Sequence, residues 1–168
     1  MFRFIAETFL KTRIAKDNST RKKQFLPWDK VEKIAIILDK KDNINKSEID
    51  KFIEGTKKFI DVFYIELSSN QASYGDWQCF SKKDKSLLNL PKGTIHTEIK
   101  RKKFDVIINT SGDTELFASA ITSGLSAPLK CGCSDKYNDV DLIIKKTEPY
   151  SIIAHLNNVF MYLKMIRV

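Results

Sequence analysis

The sequence predicts an α/β fold: a three-layer, Rossmann-like sandwich with a mostly parallel sheet of five or six strands, plus a basic helical extension at the amino terminus. One observation behind this prediction is the short unbroken apolar run KIAIILD (33–39), which is typical of a strand buried on both faces. Such runs alternate along the chain with segments whose apolar residues recur at helical spacing. Alternation of this kind builds a parallel sheet that helices cover on both faces.

Five further segments have the composition of strands. After the first strand and a helix, VFYIEL (62–67) completes a strand–helix–strand unit, whose crossover is expected to be right-handed. The remaining strands are predicted at WQCF (77–80), FDVIIN (104–109), PLKCG (128–132) and VDLII (140–144). The run 104–109 leads through the turn NTSG into a helix, which makes it the clearest strand-to-helix junction of the chain.

Helices are predicted where apolar residues share one helical face. Four of them follow the first strand, and they begin at the N-cap Ser47, at the N-cap Thr94, at about Asp113 and at Pro149. Gly124 is expected to cap the carboxyl end of the third. Their inward-facing residues are, in chain order, Ile49, Phe52, Ile53, Thr56, Phe59 and Ile60; Ile95 and Ile99; Leu116, Phe117, Ala120 and Ile121; and Ile152, Leu156, Val159, Leu163 and Ile166.

Residues 1–32 are predicted to extend a single α/β domain that spans 33–168. Phe2, Ile5, Phe9 and Leu10 fall at helical spacing and form an apolar face, which we expect to pack on the domain. Two alternatives stay open: this face lies on a membrane surface, or it inserts into a larger assembly. A chain of 168 residues suits one such domain.

Cysteine usage and hydropathy predict a cytoplasmic protein without a transmembrane segment. No apolar run approaches the ~20 residues that span a bilayer. The amino terminus carries Glu7 within its apolar stretch and has no small-residue cleavage site, so no secretory signal is expected. The three cysteines, Cys79, Cys131 and Cys133, are odd in number and lack a disulfide spacing, which fits a reducing compartment.

The net charge of +8 is concentrated in two segments. Residues 1–32 hold 8 Lys and Arg against 4 Asp and Glu, and residues 82–103 hold 8 against 2. Residues 33–81 and 104–168 each have a net charge of −1. Concentrated basicity of this kind indicates a polyanion partner or an anionic membrane surface, although a lysine-rich solubilising surface gives the same composition.

The main functional hypothesis is therefore a non-catalytic protein that docks on RNA or on a ribonucleoprotein such as the ribosome. Trp28, Tyr74 and Trp77 are candidates for stacking on unpaired bases. The residues expected to contact phosphates without reading sequence lie in the two basic segments and are Lys11, Arg13, Lys16, Arg21, Lys22, Lys23, Lys82, Lys83, Lys100, Arg101, Lys102 and Lys103.

A second hypothesis is a small-ligand site, for a sugar or a nucleotide, at the carboxyl ends of the strands. Open α/β sheets bind ligands at that edge, where the chain places Asp39, Asn109, Thr110, Ser111 and Gly112. A phosphate cradle is disfavoured because one glycine stands alone, no lysine follows it, and Asp113 adds negative charge. A helix cap at Ser111 or Asp113 explains the turn more simply.

The sequence predicts no catalytic residues, no cofactor and no metal site. Cys131 and Cys133 are one residue apart, which is not the knuckle spacing of a zinc site. The two histidines, His96 and His155, have plainer assignments, on the basic helix and beside the apolar stripe of the last helix. A serine or cysteine nucleophile would need one of them.

Several segments resemble an uncharacterised family of small Bacteroidetes proteins, a domain of unknown function. They are KTRIAKDNSTRKK, FSKKD, FDVIINTS, AITSGLSAPLKCG, DLIIK and YLKMI, so the resemblance covers nearly the whole chain. It implies a fold and a length and brings no activity with it. Residues 104–132 are also similar to a strand–helix–strand segment in the amino-terminal half of heptosyltransferase-like sugar transferases, and this implies the same fold.

Overall fold

The structure is a computed structural model that describes residues 2–71, 73–112, 116–134, 136–137 and 139–167. The helices that it contains in these ranges are α1 (Phe2–Thr20), α2 (Lys46–Thr56), α3 (Gly93–Ile99), α4 (Leu116–Gly124) and α5 (Ile152–Met165). The strands are β1 (Lys33–Asp39), β2 (Phe59–Glu66), β3 (Gln78–Ser81), β4 (Val106–Asn109), β5 (Leu129–Gly132) and β6 (Leu142–Ile143).

The six strands form one sheet in the order β3-β2-β1-β4-β5-β6, and every pairing is parallel. The predicted Rossmann-like α/β fold is thus confirmed. Strands β1, β2 and β3 follow one another toward one edge of the sheet. The chain then returns through α3, so that β4 lies on the other side of β1, and β5 and β6 follow toward the opposite edge. The strand order therefore reverses between β1 and β4, which is the topological switch point of such sheets.

Apolar side chains of the strands alternate between the two faces of the sheet, and each face is covered by helices. On one face, Ile34 and Ile36 of β1 belong to a core with α2 and α5. On the other face, Ala35 and Ile37 pack with α3 and α4. This arrangement gives the three predicted layers.

The amino-terminal helix α1 adds a further layer outside α4. All nine residues of α4 are buried, because the sheet covers one side of this helix and α1 covers the other. The buried face of α1 consists of Ala6, Leu10 and Ile14, which lie in one apolar cluster with Leu116 and Ala120 of α4. The predicted inward face was wrong in part: Leu10 is buried, but Phe2, Ile5 and Phe9 are exposed.

Several helix ends differ from the sequence prediction. The N-cap of α2 is Asn45, whose side chain accepts a hydrogen bond from the Glu48 amide, and not Ser47. No side chain in the described part of the chain caps helix α3, and Thr94 lies inside it. Helix α5 begins after Pro149, with Ser151 as the cap that accepts a hydrogen bond from the Ala154 amide. The predicted start of α4 at Asp113 falls outside the described residues.

Candidate nucleic-acid interface

Buried ion pairs fix the carboxyl end of α1 to the domain. The Arg21 guanidinium makes two hydrogen bonds to the Asp141 carboxylate, at 2.6 and 2.8 Å, and also donates to the Pro128 carbonyl. Lys130 is fully buried, and its Nζ lies 2.9 Å from the Asp17 carboxylate and 2.8 Å from the Thr122 carbonyl at the end of α4. These contacts set the position of α1 relative to α3 and α4.

A cleft of about 640 Å³ lies between α1 and α3, with the carboxyl end of α4 as its floor. Its volume falls in the range of ligand sites in proteins. Residues from both basic segments line it, although these segments are about 80 positions apart in the chain. The lining is Phe9, Arg13, Lys16, Asp17, Thr20, Pro91, Gly93, His96, Lys100 and Ser123 to Ser126.

The charge of the cleft is positive. Lys16 and Lys100 are exposed, and no carboxylate pairs with either among the residues that the structure describes. Asp17, which also lies there, is paired with Lys130 and Arg21. The cleft therefore presents free cations together with a carboxylate that is already neutralised.

Arg13 and His96 join the two walls of the cleft. The Arg13 guanidinium hydrogen-bonds to Nδ1 of His96. Burial, together with the nearby charges of Arg13 and Lys100, lowers the pKa of His96 to about 4, so its imidazole is neutral at physiological pH. Because Nδ1 accepts from a permanently charged guanidinium, the ring proton is on Nε2.

This geometry predicts that His96 does not titrate between about pH 5.5 and pH 8. The expected result in a nitrogen-15 NMR titration of the imidazole is an unchanged neutral spectrum in which Nε2 carries the proton. In the Arg13→Gln variant the same ring should titrate closer to the usual histidine value, since one of the charges that lower its pKa is gone. A midpoint near pH 6.5 in the unaltered protein would contradict the described contact.

The remaining predicted cations fall into three groups. Arg21 is buried in its ion pair with Asp141. Lys102 donates to the Gln78 side chain at 2.7 Å, and its Nζ lies over the ring of Phe63. Both side chains are thus engaged in contacts within the protein. Lys23 is half-exposed and pairs with Asp141 at 3.0 Å. The other predicted cations outside the cleft are exposed, namely Lys11, Lys22, Lys82, Lys83, Arg101 and Lys103.

The three aromatic residues predicted to stack on bases, Trp28, Tyr74 and Trp77, each pack against another aromatic ring. Trp77 is buried in the core, and Tyr74 stacks on it with ring centroids 5.5 Å apart. Trp28 packs edge-on against Phe160 of α5. A further aromatic residue, Phe9, lines the cleft and is 53% exposed.

The predicted small-ligand residues at the carboxyl edge bond mainly to one another and to the backbone. Asp39, Asn109, Thr110 and Ser111 are all buried, and only Gly112 is exposed. The Asn109 side-chain oxygen accepts from the Ser111 amide at 3.0 Å and from its hydroxyl at 2.6 Å. Because the Ser111 amide already donates to Asn109, it is not available to hold a ligand at this turn.

Next to this turn, Asp42 is a buried centre of hydrogen bonding that sequence reasoning did not find. Its carboxylate accepts from Lys146 at 2.6 Å, from the Tyr150 hydroxyl at 3.0 Å and from Thr110 at 3.2 Å. Burial, followed by the charge of Asp42, raises the pKa of Tyr150 above its usual value. The network ties the segments after β1, β4 and β6 together and leaves Asp42 fully paired.

Thiols and imidazoles are dispersed in the described part of the chain. Cys131 is buried, Cys79 and Cys133 are partly buried, and all three are thiols rather than members of disulfides. His155 is buried beside the ring of Tyr150, and burial lowers its pKa. Within the described ranges, no three His, Cys, Asp or Glu side chains come together as a group that could hold a metal ion.

Two residues of the cleft, Phe9 and His96, were assigned to other roles from the sequence. A usable signal existed in the spacing, because Phe9, Arg13 and Lys16 lie on one side of α1. His96 and Lys100, the residue that follows α3, are four positions apart and lie on one side in the same way. What the spacing could not indicate is that these two sides face each other.

The fold and the cleft together define a Rossmann-like α/β domain with an added amino-terminal helix and a basic cleft beneath it. Comparison with family models is more specific. The chain belongs to a family of unknown function, DUF6913, whose model matches residues 3–166. Comparisons with curated proteins and with solved structures gave no match. The similarity to an uncharacterised family is confirmed at this level, while the Bacteroidetes and sugar-transferase resemblances stay predictions.

Helix length and hydropathy were also compared with those of membrane spans. In the part of the chain that the structure describes, no helix is both long and apolar enough to cross a bilayer.

Proposed function

We propose that this protein binds RNA, alone or in a ribonucleoprotein such as the ribosome, through the cleft between α1 and α3. The observation that carries the proposal is the convergence of the two basic segments on one cleft, where Arg13 and Lys16 face His96 and Lys100. A solubilising surface does not require its cations to gather in one concave site. The reduced thiols of Cys79, Cys131 and Cys133 suit a role in the reducing cytoplasm.

Phosphate is the chemical group that suits this lining. Lys16 and Lys100 supply mobile ammonium groups, and Arg13 supplies a guanidinium whose position His96 fixes. Contacts of this type recognise the backbone of a nucleic acid and carry no sequence information. The exposed cations beside the cleft, Arg101 and Lys103, would extend the same contact along the strand.

Neutralising the cleft is expected to weaken RNA binding strongly. In the Lys16→Gln and Lys100→Gln variants, each lost charge-assisted contact should reduce affinity about tenfold. The measurement is fluorescence anisotropy with a labelled RNA of about 12 nucleotides, which matches the site size of single-strand binders. Both lysines are exposed, so the variants should keep the unfolding free energy of the parent.

The matched control is the pair Lys51→Gln and Lys145→Gln, which changes the net charge equally at exposed lysines on α2 and beside β6. We expect its RNA affinity to stay within about twofold of the parent. Equal losses in the cleft pair and the control pair would mean that net charge alone attracts RNA, which contradicts a defined site. Binding of anionic vesicles but not of RNA would favour the membrane alternative instead.

A further inference from the structure

We infer that the cleft takes a single strand with unpaired bases, and that Phe9 is the platform on which one base stacks. This inference rests on the proposed RNA-binding function and specifies its ligand class. It assigns a role to an exposed aromatic side chain that the packing of α1 does not use. The buried face of this helix is formed by Ala6, Leu10 and Ile14 instead.

Phe9 is placed where a stacking residue is needed. Its ring is 53% exposed and lines the cleft beside the cations. The guanidinium carbon of Arg13 lies 5.6 Å from the centroid of this ring. Every nucleobase has a face that can stack on an aromatic ring, and stacking requires that the base be unpaired.

Arg13 is held in a defined orientation before any ligand binds. Its guanidinium contacts both the Phe9 ring and Nδ1 of His96, and the neutral imidazole does not repel it. The guanidinium lies over one face of the ring, so a base would stack on the opposite face of the half-exposed Phe9 while the guanidinium binds the neighbouring phosphate. Less side-chain freedom is lost on binding when the side chain is already ordered.

The location of the cations favours a single strand over a duplex. Arg13 is half-buried between two helices, with the end of α4 beneath it. A single strand can enter such a cleft and bring both phosphate and base to its lining. In a duplex the bases face each other, and recognition proceeds through its outer shape, so its contact would be limited to the rim.

The test compares the Phe9→Ala and Phe9→Trp variants with the parent protein. The ligands are a labelled single-stranded RNA of about 12 nucleotides and a blunt duplex of the same sequence. We expect Phe9→Ala to bind the single strand about tenfold to a hundredfold more weakly and to bind the duplex as the parent does. Phe9→Trp should bind the single strand as tightly as the parent does. The fluorescence of the introduced tryptophan should be quenched when RNA binds, because its indole stacks on a base.

The control is Phe59→Ala, which removes another exposed phenylalanine, at the start of β2 and outside the cleft. It should leave single-strand affinity unchanged. Unchanged affinity in Phe9→Ala, or duplex binding as tight as single-strand binding, would overturn the stacking inference while the lysine variants still report on the cleft. If neither the Phe9 nor the lysine variants alter RNA binding, the proposed function itself fails.

Discussion

Replacing Arg21 with methionine is expected to lower the free energy of unfolding by about 3 kcal/mol or more. The side chains of Arg21 and Asp141 are only 5% and 7% exposed, and removal of the guanidinium leaves the Asp141 carboxylate buried without its principal partner. The same change would detach the end of α1 from the carbonyl of Pro128. Urea-induced unfolding, followed by circular dichroism, measures the difference.

Two further variants make this prediction specific. Lys22→Met alters the next residue, which is exposed, and should change the unfolding free energy by no more than about 0.5 kcal/mol. In Arg21→Met the Asp141 carboxylate keeps only the half-exposed Lys23 as a cationic partner. Adding Asp141→Asn removes this buried charge while keeping an acceptor for the Lys130 amide, and should recover part of the lost stability. Equal, small effects of Arg21→Met and Lys22→Met would show that the buried pair does not hold α1 in place.

The Asp139→Asn variant is expected to be more stable than the parent at neutral pH, by up to about 3 kcal/mol. Asp139 is buried, and its Oδ2 has no hydrogen-bond partner among the described residues. Burial raises the pKa of this carboxyl to about 6, and the interaction with the Ser119 hydroxyl only partly opposes that shift. At pH 7 the folded protein therefore holds a charge that costs free energy.

The pH dependence of this effect has a defined sign. Because the folded protein binds the Asp139 proton more tightly than the unfolded chain does, the parent should lose stability as the pH rises from about 4 to about 6. The advantage of Asp139→Asn should be full above about pH 7 and should vanish near pH 4. Unfolding free energies measured at both values test this, and an advantage that persists unchanged at pH 4 would contradict it.

The sequence specified the sheet well because buried strands leave a strong pattern. KIAIILD is apolar on both faces, and the observed β1 has the predicted bounds. The helix caps were harder to predict because several residues that can cap a helix occur close together. Asn45 and Ser47 can both cap a helix, and the choice between them depends on how α2 packs over the sheet.

The buried face of α1 could not be predicted from its own residues. Apolar side chains occur on several sides of this helix, and only contact with α4 selects Ala6, Leu10 and Ile14 rather than Phe2 and Phe9. A row of apolar residues that continued over more turns along one side of α1 would have identified its buried face.

Only the fold shows which basic residues are buried in ion pairs and which are exposed to a ligand. Arg21 stands in a run of basic residues, and nothing local distinguishes it from Lys22. Its partner, Asp141, is 120 residues away in the chain. The cleft was beyond sequence reasoning for the same reason, because it exists only where α1 and α3 meet over the end of α4.

The salt dependence of RNA binding tests the central claim most directly. The association constant would be measured between about 50 mM and 200 mM salt for the parent and for the Lys16→Gln/Lys100→Gln double variant. We predict a steep linear fall of log K with log salt in the parent, and a slope that is shallower by about 1.4 in the variant, since two phosphate contacts are lost. A flat dependence in the parent, or equal slopes in both proteins, would contradict RNA binding at this cleft.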